Sequence, residues 1–107
     1  LPPPAEGSAE VARRVARARA VQAARYEALG LAIRINAAAP PNIIETVAAL
    51  DADGRKLMGD AAEKFRLTAR GYHRVLKVAR TIADLDGAEA ISRSALAQAL
   101  AYRGSAL

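Results

Sequence analysis

With 107 residues, sixteen Lys and Arg against eleven Asp and Glu, and no cysteine, the chain fits one small domain carrying a net charge of +5. The missing cysteines exclude disulfides and thiolate metal sites, the single His73 excludes a histidine zinc centre, and no apolar run approaches the ~18 residues of a membrane span. Much of the 52% hydrophobic content is alanine, and Tyr26, Phe65, Tyr72 and Tyr102 are the only aromatics, so an all-helical domain with a thin core is expected.

Residues 1–7, with Pro2-Pro3-Pro4, read as an extended linker from something longer. Ser8 is placed to cap a long helix running to about Leu29, and Glu10 suits its first turn. Val11, Val15, Ala18, Gln22, Tyr26 and Leu29 share one face of that helix, with Arg13, Arg14 and Arg17 away from it. Gly30 is a weak stop signal, and Asn36 to Pro41 is a clear break because Pro40-Pro41 cannot continue a helix. Asn42 is then placed to cap a short helix to Leu50, with Ile43, Ile44 and Val47 inward. Asp51 caps the next, reaching about Phe65 with Leu57, Ala61 and Phe65 inward. Thr68 caps a helix from Ala69 to about Asp86, and Gly87 supplies a left-handed residue after it. Ser92 caps a last helix to about Arg103, with Ala95, Leu96, Ala99 and Leu100 inward, and residues 104–107 form a tail. No segment alternates with period two and no repeat is visible. The chain reads as an all-α bundle of four main helices plus one short helix, occupying residues 8–103.

The helix after Thr68 carries the chemistry. At about 100° per residue, Tyr72, Val75, Leu76, Ala79, Ile82 and Ala83 fall within one arc, and Arg70, Arg74, Lys77 and Thr81 line up opposite. From Arg66 to Arg80 there are five cationic residues and no acidic one. Such an excess favours polyanions without choosing among nucleotide phosphates, nucleic acid and acidic protein surfaces. Arg70 falls in the first helical turn, where the helix dipole disfavours positive charge. A phosphate ligand explains that placement better than stability does. His73 lies beside the ridge as a surface or boundary residue.

Other motifs come to less. Gly54 and Gly59 have the spacing of a phosphate-binding P-loop, but the Lys-Ser/Thr pair is missing and no strand precedes them. Asp51-Ala52-Asp53-Gly54 begins like a calcium loop, yet Lys56 and Ala62 stand where that loop needs glycine and glutamate. The helices starting at Ala69 and Ser92 loosely allow a helix-turn-helix, although the connection from Gly87 to Ile91 is longer than the usual turn. No Ser/His/Asp arrangement or carboxylate cluster supports autonomous catalysis, and no metal site is expected.

The run Leu67-Thr68-Ala69-Arg70-Gly71-Tyr72-His73-Arg74-Val75-Leu76-Lys77-Val78-Ala79-Arg80-Thr81-Ile82-Ala83-Asp84-Leu85 resembles the C-terminal domain of the magnesium-chelatase-like AAA+ proteins, in their YifB/ComM branch of competence-related ATPases. The resemblance continues through Gly87 and Ile91 to Leu96–Arg103, and upstream to Val15, Ala18-Arg19, Gln22, Arg25, Asn36-Ala37 and Pro41. Thr68 and Gly71 depart from it, standing where serine and alanine are more usual. The resemblance implies a helical lid packed over an N-terminal AAA+ core of the same chain, in a homo-oligomeric ring, expected to be a hexamer, in the cytoplasm. It also implies that Arg70 is the sensor-2 arginine, contacting the γ-phosphate of ATP in its own or a neighbouring subunit. Arg74, Lys77 and His73 are candidates for further phosphate, nucleic-acid or interface contacts. ATP and Mg²⁺ would belong to the full-length protein, and none would be held by this domain alone. The implied machine remodels DNA, as a helicase or branch-migration motor in competence. The alternatives are the lid of a magnesium-chelatase ATPase subunit and a stand-alone basic helical DNA-binding module.

Overall fold

The computed structural model describes residues 7–103, so the expected linker before Gly7 and the tail at 104–107 lie outside the described residues. Its elements are α1 (Ser8–Ala28), a 3₁₀ turn (Asn36–Ala38), α2 (Pro41–Val47), α3 (Ala52–Lys64), α4 (Ala69–Leu85) and α5 (Arg93–Tyr102). There is no strand among the described residues, and the all-α bundle of four main helices and one short one is as expected.

Local chemistry sets most of the helix starts. The side chains of Asp51, Thr68 and Ser92 accept the backbone N–H of Gly54, Gly71 and Ala95 at 2.8, 3.0 and 3.0 Å. Each occupies one donor that the first turn leaves unpaired. Two expected caps are corrected. Ser8 is already helical, and the carbonyl of Gly7 accepts the first bond from Val11 N–H at 3.0 Å. Asn42 lies inside α2, which starts at Pro41 with Pro40 as its cap. Proline's fixed φ and missing N–H suit that first position. The same helix ends at Val47 rather than Leu50.

Three helices end in the same turn. Leu31, Leu67 and Ala88 donate N–H back to Tyr26, Ala62 and Ala83 carbonyls at 3.0, 3.0 and 2.9 Å. The residue at each turn has positive φ: Gly30 at 74°, Arg66 at 52° and Gly87 at 72°. Glycine adopts that region freely, whereas Arg66 holds it against its own Cβ.

The long α4 is the axis of the bundle, in contact with α1, the 3₁₀ turn, α2 and α5, while α3 lies against α5. Ala79 and Ala83 of α4 and Ala95 and Ala99 of α5 are all buried, which lets their backbones approach closely. Tyr26, Ile44, Met58 and Leu96 are the bulky residues sealed in the core, each contributing roughly 2 kcal/mol by burial. On α3 Gly54, Met58 and Ala61 are buried, and Leu57 packs against the core as expected, partly buried. Phe65, expected inward, is 41% exposed because the helix unwinds there into its terminal turn. Val11, Val15 and Leu29 also lie exposed, since only Ala18, Gln22 and Tyr26 of the α1 face meet the bundle.

Thr68→Ala is expected to lower unfolding free energy by about 1 kcal/mol in urea titration, through loss of the α4 cap. Gly87→Ala is expected to cost a similar amount, about 1 kcal/mol, from the forced positive φ. A Gly87→Ala protein as stable as the parent would show that the α4 terminal turn relaxes freely.

Candidate phosphate-facing site

Arg70 is the second residue of α4, exposed and without a hydrogen bond or ion pair among the described residues. Arg74 stands one turn further on, equally exposed and equally unpaired among them. Beside Arg74 lies a groove of about 360 Å³, floored by Leu67, Gly71, Val75 and Ala99, with Phe65 and Tyr102 at its edge. The Arg103 guanidinium stacks on the Phe65 ring at 3.5 Å, which holds that exposed ring in place. Arg74 also borders a second groove of about 350 Å³, with Lys77, Val78, Thr81 and Ile82.

The cationic ridge read from the sequence is shorter in three dimensions. Lys77 Nζ donates to the Ala37 carbonyl at 3.1 Å, and Thr81 Oγ1 accepts from Asn36 Nδ2 at 3.0 Å. The 3₁₀ turn thus occupies its lower half. His73 is a boundary residue whose Nε2 lies 3.1 Å from Glu45 Oε1, joining α4 to α2. Its ring meets Tyr72 edge to face at 5.8 Å. Arg70 and Arg74 therefore remain as the free cations of the ridge.

Arg80, counted among the sequence's cationic excess, is buried with 4% exposure. It belongs to a polar hub that the sequence reading missed. At its centre is Asp84, 2% exposed. Arg25 of α1 grips it at 2.6 and 2.9 Å, Arg80 Nη2 reaches it at 3.1 Å, and Asn36 Nδ2 donates to it at 3.0 Å. Tyr26 donates to Asn36 Oδ1 at 2.6 Å, and the Asn36 N–H donates to Gln22 Oε1 at 2.9 Å. Arg80 also donates to the Ala88 and Glu89 carbonyls, both at 2.8 Å, fastening the loop into α5. The Asp84 hydrogen bonds hold the Arg25 guanidinium above its usual range against the effect of burial. Burial lowers Arg80, with Arg25 nearby adding to the effect, while Asp84 opposes it. Burial raises the Tyr26 phenol.

A faint sequence signal for this hub exists. Gln22 interrupts an otherwise apolar stripe of α1, and Arg80 and Asp84 stand four apart on α4, facing the same side. Their partners Arg25 and Asn36 lie some fifty residues away in sequence, and no local pattern links them. The glycine pair at Gly54 and Gly59 falls inside α3, as an ordinary helix. Among the described residues no group of His, Asp and Glu is arranged to hold a metal, and no helix is long and apolar enough to cross a membrane.

The sequence is similar to those of known proteins. The family described as "Magnesium chelatase, subunit ChlI C-terminal" matches residues 5–103, and the chain belongs to it. Competence protein ComM of Haemophilus influenzae is 40% identical over 98 residues, covering 92% of this chain and 18% of its own length. The uncharacterized protein YifB of Salmonella typhimurium is 35% identical over 112 residues, covering 96% of this chain and 21% of its own. YifB of Escherichia coli is 34% identical over 100 residues, covering 94% and 19%. The chain thus spans about a fifth of the length of the curated relatives it matches. No solved structure matches it.

Asp84→Asn should cost about 3 kcal/mol, because it leaves the buried Arg80 and half-buried Arg25 guanidiniums without a counter-charge. Chemical denaturation checks this, and a loss below about 1 kcal/mol, the worth of an exposed pair, would show that solvent already screens the hub.

Proposed function

We propose that this domain is the lid of a ring-forming AAA+ ATPase of the ComM type, and that Arg70 is its sensor-2 arginine. The observation that carries the reading is an exposed guanidinium, unpaired among the described residues, at the N-terminal end of the bundle's central helix. Thr68 fixes the first turn from which it projects. The α4 backbone behind it is anchored at its far end by Asp84. A guanidinium so mounted can donate two parallel hydrogen bonds to phosphate oxygens. Loss of the terminal phosphate would release them and free the lid to move.

The partner surfaces follow from the same reading. The N-terminal core of the longer protein would supply the phosphate-binding loop and the carboxylates that hold ATP and Mg²⁺, none of which this sequence contains. The groove edged by Phe65 and Tyr102 and the Val78/Ile82 face are the apolar surfaces available for that core or a neighbouring subunit. Arg74 stands between them as a second phosphate or interface contact, whereas Lys77 and His73 are engaged within the domain. The DNA-remodelling role rests on similarity to ComM, a competence protein by name. The family's chelatase description supports the rival reading of a chelatase-subunit lid.

In the full-length protein, Arg70→Ala is expected to slow ATP turnover by about a hundredfold. Its exposed position should leave the thermal melting of the lid unchanged. Unaltered turnover would remove Arg70 from the nucleotide site. The domain by itself is expected to bind duplex DNA only weakly at physiological salt. Sub-micromolar binding with a steep salt dependence would instead support a stand-alone DNA-binding module.

A further inference from the structure

A second concave surface lies away from the Arg70 ridge, between α1, α2 and the end of α4. It is a cleft of about 710 Å³, with Arg17, Arg25, Arg80, Asp84 and Glu89 as its charged residues. The charges do not balance. Asp84 is the buried carboxylate for two guanidiniums, and its oxygens already accept from Arg25, Arg80 and Asn36. Glu89 is exposed, and its contact with Arg80 is through its backbone carbonyl. Arg17 is exposed and unpaired among the described residues. One positive charge is left over in a site of reduced dielectric, where an uncompensated charge is costly.

A donor is left over as well. Arg80 sends its two terminal nitrogens to Asp84 and to the Val47, Ala88 and Glu89 carbonyls. Its Nε is buried and has no acceptor among the described residues. That donor is sealed from solvent, so an oxyanion at the cleft surface answers the excess charge and not the missing bond. The walls around these charges are apolar: Val21 and Leu29, 42% and 48% exposed, with Ala28, Val47 and Ala88. The anion that fits arrives attached to an apolar body.

We propose that this cleft receives an acidic side chain set among aliphatic residues of a partner protein segment, with Arg17, Arg25 and Arg80 facing its carboxylate and Val21 and Leu29 packing its neighbours. Arg17 meets the carboxylate at the mouth, and the deeper guanidiniums complete its charge. Pairing a carboxylate with desolvated guanidiniums supplies both attraction and register.

The test uses the 107-residue chain with the probe peptide acetyl-Leu-Glu-Leu-amide, followed by arginine Nε–H resonances in two-dimensional NMR. Sodium hexanoate and sodium phosphate serve as controls at matched ionic strength. Saturable shifts of the Arg17, Arg25 and Arg80 resonances are expected. Affinity should fall about tenfold for acetyl-Leu-Gln-Leu-amide and comparably in Arg17→Gln, whose exposed site leaves folding intact. Leu29→Ser should weaken the peptide but not phosphate. Absence of saturable shifts, equal binding of the Gln peptide, or undiminished binding in Arg17→Gln would overturn the proposal. So would tighter binding of phosphate or hexanoate than of the peptide, which would assign the cleft to a free anion.

Discussion

A single buried carboxylate organises this domain. Asp84 gathers donors from α1, the 3₁₀ turn and α4, and through Arg80 it reaches the carbonyl at the end of α2 and the loop that leads into α5. In a thin, alanine-rich core the apolar contacts alone leave the relative rotation of helices weakly defined, because small smooth surfaces pack in several registers. Directional hydrogen bonds to a charged oxygen select one of them.

The same helix carries two opposite uses of arginine. Near its start, Arg70 in the capped first turn and Arg74 one turn further on are exposed and unpaired among the described residues. Near its end, Arg80 lies in the interior and is spent on carbonyls and Asp84. The guanidinium suits both duties, since its planar fork keeps its charge when buried and keeps its geometry when exposed. Counting positive charges along the chain merges these roles. The electrostatic surface that α4 offers to a polyanion is therefore smaller than its sequence suggests, because Arg80 is buried and Lys77 is bonded to the Ala37 carbonyl.

This division bears on how a lid would work. In the proposed lid, a helix held at one end to α1 and carrying Arg70 at the other would carry a displacement along its length. The Phe65 groove and the Val78/Ile82 face both border Arg74, one turn beyond Arg70. The cleft holding Arg17, Arg25 and Arg80 faces the hub instead, which gives a second partner access to the anchored end.

The sequence alone determined the helices and most of their limits, because caps, glycines and apolar periodicity act within a few residues of one another. Asp51, Thr68, Ser92 and Gly87 were legible for that reason, and so were the amphipathic character of α4 and the first-turn position of Arg70. The miscast caps at Ser8 and Asn42 were errors of one or two residues within the same local chemistry. Only tertiary structure decided which arginines are free and which are buried. Whether Lys77, Arg80 or Arg25 meets solvent depends on chain that returns from Asn36, Ala37, Asp84 and Glu89. Such long-range pairing follows from how the whole bundle closes, since a charge can be buried only where distant residues bring it a partner.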